Sequence, residues 1–357
     1  MHYKRLLTWI DGSSSYLSVG LDVGADFTWM SIALPNGAFI GKPFKIVHSD
    51  PRSRDLAVTK IKEAQETYSL KSRCFLESTG IYHIPLLCFL RDKGFDCSVI
   101  NPIITKNSTN INIRKLHNDK FDSKKAALVG LNVSLKASII PEDSVVDLRK
   151  LVRDYYYFKD LQSAVALKLT AELKVSFPAY AKVFSKVTTQ SSLKLLSSYP
   201  LAGDMLEASK DDIVETIRST ARFGEAYALR KYDAVIAAAQ DASVFGRALP
   251  SNAVRIRLYI DTYQEYQKHL DALLKALHET VERLQDTLIY DQICLLQSLR
   301  GIGFLSAVVL IAEMGDFKLF PSPKKLYAYF GLDPAVKQSG KLNGDKVHMS
   351  KRGSSLA

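Results

Sequence analysis

The sequence runs to 357 residues, 47% hydrophobic and 24% charged, which is material for two or three packed domains and excludes a disordered or collagen-like chain. Lys and Arg exceed Asp and Glu by a net charge of +11, so the expected partner is a polyanion, nucleic acid ahead of an acidic membrane surface. No apolar run approaches a membrane span and the first residues lack a signal-peptide core, so a cytoplasmic protein is expected.

From the N-terminus, Leu17–Gly24 is a short apolar run bounded by turn residues and predicts a strand. Trp29–Leu34 and Phe39–Ile46 predict two more, with Pro35-Asn36-Gly37 turning between them. Asp55–Tyr68 carries helical spacing, Arg73–Leu76 is a fourth strand, Ile81–Asp92 a helix, Cys97–Ile100 a fifth strand, and Ser123–Leu135 a further helix. Three strands able to form a meander, followed by alternating helix and strand, is the order of a ribonuclease H-like mixed α/β domain. Cys74, Cys88, Cys97 and Cys294 form no CxxC pair and read as buried thiols of a reducing compartment.

That order gives the acidic residues their interest. Asp22 falls inside the first strand and Glu77 at the end of the fourth, which are sheet neighbours in such a fold. Asp119 and Asp122 stand three apart at a helix start, so they share one face. Singly, each has an ordinary structural reading: a turn cap, a rim residue, a helix N-terminal turn favoured by the dipole. Together at these element ends they predict a carboxylate tetrad that binds two Mg²⁺ ions roughly 3.5–4 Å apart, the arrangement that serves in-line phosphoryl transfer. The polar stretch beside them, with Lys106, Arg114, Lys115 and Lys120, reads as a loop that tracks a phosphate backbone or as an ordinary solvated loop.

The middle of the chain is helical. Leu148, Leu151, Val152, Tyr155, Phe158, Leu161, Val165, Leu169 and Leu173 mark a long amphipathic helix stopping near Phe177-Pro178. A short helical subdomain fills Leu193 to Gln240. Then Ile256, Ile260, Tyr263, Gln267, Leu270, Leu274, Leu277, Val281, Leu284 and Leu288 alternate by four and three, a coiled-coil pattern with one polar core position. Its partner is the first long helix, another protomer, or both.

The last stretch is basic: from Phe317 onward eight Lys and Arg face two Asp. Arg300-Gly301-Ile302-Gly303 separates two helices in the manner of a helix-hairpin-helix turn, and Ser322-Pro-Lys-Lys starts a helix reaching Phe330. Beyond Gly331-Leu-Asp-Pro334 lies a loop in which Ser339 precedes Gly340 among Lys337, Lys341, Lys346, Lys351 and Arg352. A serine between cations in a glycine-containing loop suits attack on a phosphodiester, and equally an N-cap serine in a solvated loop.

The order and spacing of these pieces resemble one family: the DEDD transposases of the insertion-sequence one-hundred-and-ten family, with the Piv-type DNA invertases. The resemblance rests on LDVGADF, LESTGIYH, NDKFDSKKAALV, LRKLVRDYYYF, LRGIGFLSAVVLIAEMGDFKLF, YAYFGLDPAVKQSG and HMSKRG. It implies a RuvC-like domain over residues 1–145, a coiled-coil insertion over 146–290 and a small, mainly helical transposase domain over 291–357. It further implies that Asp22, Glu77, Asp119 and Asp122 bind Mg²⁺ and that Ser339 attacks DNA, leaving a phosphoserine link; Ser350 reads as an N-cap. Dimers assembling into tetramers on DNA, a structured bridge RNA that pairs with target and donor, and work at the prokaryotic nucleoid come with the same resemblance. Asn118 stands where a basic residue is usual and Arg300 where proline is common, and the chain stops soon after SKRG, where the family continues into another helix. Three functions are therefore expected in turn: a site-specific recombinase acting through Ser339, a hydrolytic RuvC-like nuclease using water, and a truncated nucleic-acid binder.

Overall fold

The computed structural model describes residues 15–77, 81–100, 119–131, 143–220, 224–315, 317–332 and, beyond them, 334–335, 338–339, 342–343, 348–349 and 356. Its backbone divides into two compact units, residues 1–140 and 141–357.

The first unit is built on a five-stranded sheet in the order β3-β2-β1-β4-β5. The strands are β1 (Tyr16–Val23), β2 (Phe27–Ala33), β3 (Phe39–Val47), β4 (Lys71–Glu77) and β5 (Asp96–Ile100). β1, β2 and β3 pair antiparallel as a meander, whereas β4 and β5 join parallel to β1. This is the predicted order, and the central strand shows why. In β1 every residue from Leu17 to Leu21 is buried, because both sheet faces are covered. On one face Leu17, Val19 and Leu21 pack with helix α1 (Pro51–Tyr68) and helix α2 (His83–Asp92) through Ile61, Leu86 and Leu90. Helix α3 (Asp119–Gly130) covers the other. Helix α1 begins at Pro51, four residues before the predicted Asp55, because Asp50 caps it: its carboxylate accepts the Arg52 N–H at 3.0 Å, and proline suits the first helical position.

The second unit hangs on two long antiparallel helices, α4 (Asp143–Ser176) and α9 (Pro250–Glu282), packed along each other. The first long helix, one of the partners considered for the 4-3 repeat, thus packs along it in the same chain. The single polar position is satisfied across the pair: buried Gln162 donates to Gln267 Oε1 at 2.9 Å. The repeat runs on past the helix, however. α9 ends at Glu282, and Asp286 takes a left-handed φ of 66° in the following turn, so Leu284 lies outside it and Leu288 opens the next helix, 46% exposed. At one end of the pair, Leu169, Leu173, Ile256 and Ile260 share a core with α5 (Gln190–Ser198), α6 (Ala202–Glu207), α7 (Lys210–Arg218) and α8 (Glu225–Phe245). At the other, Leu148, Val152, Leu277 and Val281 pack with α10 (Leu288–Gln297) and α11 (Phe304–Met314). Arg149 and Arg153 of α4 tie this end: Arg149 Nε donates to Ala312 O at 2.7 Å, and Arg153 grips the buried Glu313 carboxylate through two 3.0 Å hydrogen bonds. Helix α12 (Pro323–Tyr329) then starts where expected, with Ser322 at its N-cap position but making no side-chain hydrogen bond to the first turn. Among the described residues no helix is long and apolar enough to cross a membrane.

One expectation about the thiols is corrected. Cys74 and Cys97 are buried opposite each other on β4 and β5, but Cys88 and Cys294 are exposed. Both lie on helices, where apolar sequence neighbours point to other faces: Leu87 beside Cys88 is buried, and so is Ile293 beside Cys294.

Candidate functional site

The site is placed by a helix seated on small residues. Along β1 the side chains of Ser18, Gly20 and Asp22 share one face, since successive residues alternate. Helix α3 lies on that face against bare backbone. A Cβ on Gly20 would stand 2.1 Å from Ala127 N, and one on Gly130 would meet the Phe75 ring at 2.3 Å. Three hydrogen bonds fix the seat: Ser18 Oγ donates to Ala127 O at 2.6 Å, Tyr16 Oη donates to Gly130 O at 2.7 Å, and the Ser31 and Ser123 hydroxyls meet at 2.8 Å. Going up α3 from Ser123 to Gly130 therefore means going down β1 from Gly20 to Tyr16. The first turn of α3, with Asp119 and Asp122, accordingly comes to the Asp22 end of the strand.

Glu77 arrives from the other side. Leu21 pairs with Leu76 in parallel register, so Glu77 ends β4 next to Asp22 and shares its face with Phe75, which packs against α3. Three elements thus deliver four carboxylates to one sheet end. Asp22 registers them all: burial first, then the charges of Asp122, Asp119 and Glu77, push its pKa from 3.8 up to about 7, against a counter-pull from Lys125. Lys125 pairs with Asp122 at 3.7 Å and is itself largely covered, a cation inside the cluster that the sequence reading did not single out.

Such a set of oxygen donors with excess negative charge is the chemistry that a hard divalent cation takes. Among the described residues no three acidic, His or Cys side chains are gathered closely enough to hold an ion as they stand. The fit lies in charge and donor type.

The other predicted residues fall as follows. Lys120, in the first turn of α3, is exposed with Nζ 4.7 Å from the Trp29 ring centre. Lys106, Arg114 and Lys115 lie outside the described residues, as do Lys337, Lys341, Lys351, Arg352 and Ser350. Ser339 is described in its backbone, in the short strand Gln338–Ser339 paired antiparallel with Leu342–Asn343, and belongs to the second unit. Gly301, at φ 98°, and Gly303, the N-cap of α11, occupy the predicted turn between α10 and α11.

Comparison with known proteins converges on this chain at both ends. Residues 19–178, holding all four carboxylates, match a transposase family of the IS110 elements characterised by a DEDD site. Residues 294–357, holding Ser339, match the family described as Transposase IS116/IS110/IS902. A similar curated protein, y4qE of Sinorhizobium fredii (strain NBRC 101917 / NGR234), is described as a transposase; it is 30% identical over 115 residues, 31% of this chain. The match spans only 29% of that relative's length.

Proposed function

The chain belongs to the IS110 family of transposases, and from that premise we propose that it cuts and rejoins DNA at specific sites. The observation that carries the reading is the convergence of Asp22, Glu77, Asp119 and Asp122 at one sheet end, felt at Asp22 as burial plus three like charges. That cluster suits divalent ions, and Mg²⁺, as a pair, is the proposed cofactor; when bound it would shield the phosphate and stabilise the departing oxygen. Asp22 and Glu77 form the fixed side of the site, held by two hydrogen-bonded strands. Asp119 and Asp122 form the side carried by α3, whose N-terminal dipole favours their charge.

Ser339 is the proposed nucleophile. Its hydroxyl oxygen attacks the phosphorus, the bond to the sugar oxygen breaks, and the phosphoserine keeps the energy needed for rejoining. Lys106, Arg114, Lys115, Lys120, Lys337, Lys341, Lys351 and Arg352 are proposed to hold the phosphate backbone; the chain's +11 charge supports this. A structured guide RNA would supply the sequence choice by base pairing, and a homo-oligomer would bring one protomer's serine to another's carboxylates. Both rest on the family resemblance, as does the subdivision of residues 141–357 into helical and transposase domains near residue 290.

The test is a denaturing assay for protein–DNA adducts on a supercoiled substrate containing element ends, with co-purifying RNA retained. The expected outcome is a covalent adduct with the wild-type protein, and its loss together with strand exchange in Ser339→Ala while DNA binding stays. Free ends without an adduct would assign hydrolysis by water, and an adduct retained in Ser339→Ala would move the nucleophile elsewhere, Ser350 first.

A further inference from the structure

The sheet places an aromatic ring and a cation on the same rung as the carboxylates. Asp22 pairs with Trp29 across β1 and β2, and Trp29 pairs with Lys45 across β2 and β3. Directly opposed residues share a face, so one rung reads Glu77, Asp22, Trp29, Lys45 from the acidic side to the basic. Among the described residues helix α3 covers this face from Asp119 on, and its Ser123 already meets Ser31, two residues further along β2. Trp29 therefore lies at the helix's N-terminal end. Its strand neighbours Thr28 and Met30, at 0% and 2% exposure, are sealed into the opposite face, while the Trp29 ring is only half-buried. Exposed lysines flank it. Lys120 Nζ sits 4.7 Å from its centre, and Lys45 Nζ sits 4.0 Å from the centre of Phe27, the next aromatic on the same face of β2.

We propose that Trp29 is a stacking platform for an unpaired nucleobase of the DNA strand whose phosphodiester is presented to the carboxylates, with Lys45 and Lys120 holding the adjoining phosphates. This deepens the DNA reading above and rests on it. Every base has a π-face, so an aromatic platform grips a strand without reading sequence, and the lysines can leave the rings for phosphate. The scale agrees. Lys45 is two strands from Asp22, about 10 Å at the usual strand spacing, which is the length of roughly three nucleotides stacked at about 3.4 Å.

The chain has two tryptophans, so Trp9→Phe leaves Trp29 as the only one. That full-length variant is titrated with oligothymidylate while binding is followed independently by anisotropy of a label on the DNA. Trp29 fluorescence should be quenched along the same isotherm. In the unmodified background Trp29→Leu should weaken binding about 5- to 150-fold, the range for one lost base–aromatic stack, and Trp29→Phe should recover most of it. Lys45→Gln, at an exposed position, should weaken binding and flatten its salt dependence. Binding with unchanged Trp29 fluorescence and full affinity in Trp29→Leu would overturn this inference and leave the DNA reading standing. Failure of the wild-type chain to bind single-stranded or duplex DNA at all would overturn both.

Discussion

Replacing Asp22 by Asn should stabilise the first unit at alkaline pH, which is the opposite of what removing a structural carboxylate does. Asp22 titrates at about 7 in the fold against 3.8 as an ordinary carboxyl. The folded state therefore holds this proton more tightly than the unfolded chain. Its contribution is complete below about pH 4 and is lost as pH rises through 7, because the folded state must then accept a half-buried charge beside three others. Three pH units would correspond to about 4 kcal/mol, and solvent screening of a side chain only half-buried reduces that to roughly 1–2 kcal/mol. In EDTA-containing buffer at pH 8, Asp22→Asn should exceed wild type by that amount in urea unfolding, or by roughly 3–8 °C in melting temperature. At pH 4 the two should coincide. Millimolar Mg²⁺ should raise the wild-type protein at pH 8 and leave the variant nearly unmoved. With Trp9→Phe in both proteins, Trp29 fluorescence reports the first unit directly. Parallel stability curves for the two proteins from pH 4 to 8 would refute the clustering of charge around Asp22.

Gly20→Ala should do the reverse, costing about 3 kcal/mol or more, since its methyl would meet α3 backbone at 2.1 Å and backbone cannot swing aside as a side chain can; urea unfolding of the first unit measures it, and a loss below about 0.5 kcal/mol would mean that α3 is not seated there. Arg153→Ala removes two 3.0 Å hydrogen bonds from the Glu313 carboxylate, 3% exposed, and should cost about 1–3 kcal/mol, discounted for the arginine's own exposure; Glu313→Gln should cost less, and equal losses would show that the charge is not what matters. Gln267→Leu takes the 2.9 Å acceptor away from the buried Gln162 amide and should cost about 1 kcal/mol, whereas Gln267→Leu with Gln162→Leu should recover it; a double variant no better than the single one would argue against the hydrogen bond across α4 and α9.

The strand order of the first unit was legible because each strand is a short apolar run and each helix has its own period. The start of α1 was missed, although Asp50-Pro51 carries both the cap and the first-turn proline; a periodicity argument begins at the first apolar residue and passes over caps. The 4-3 repeat identified α9 and its inward residues Ile256, Ile260, Leu270, Leu277 and Val281, yet it could not see the helix end, since Leu284 and Leu288 keep the spacing across a turn. The four carboxylates could be picked out because each stands at an element end. Lys125 and Trp29 could not. Lys125 looks like one more cation in a basic stretch until its helix is placed, and Trp29 reaches the site only through a register across three strands.

These observations suggest why the seat of α3 is so bare. Asp119 and Asp122 carry charge toward a half-buried Asp22, so the first turn of α3 is pushed away from the strand it must face. A helix resting on bulky side chains could yield to that push, because long side chains change rotamer cheaply. With Gly20 and Gly130 at the contact there is no side chain to yield, and backbone meets backbone or ring directly. The hydroxyls of Tyr16 and Ser18, and the Ser31–Ser123 pair, resist sliding along the strand. Close packing thus offsets repulsion at the point where function requires like charges to stay together, as destabilising sites demand support from the fold around them. It follows that Asp22→Asn should partly rescue Gly20→Ala: with the repulsion relieved, a displaced α3 loses less. A double variant whose loss equals the sum of the two single effects would show that seat and site are energetically independent.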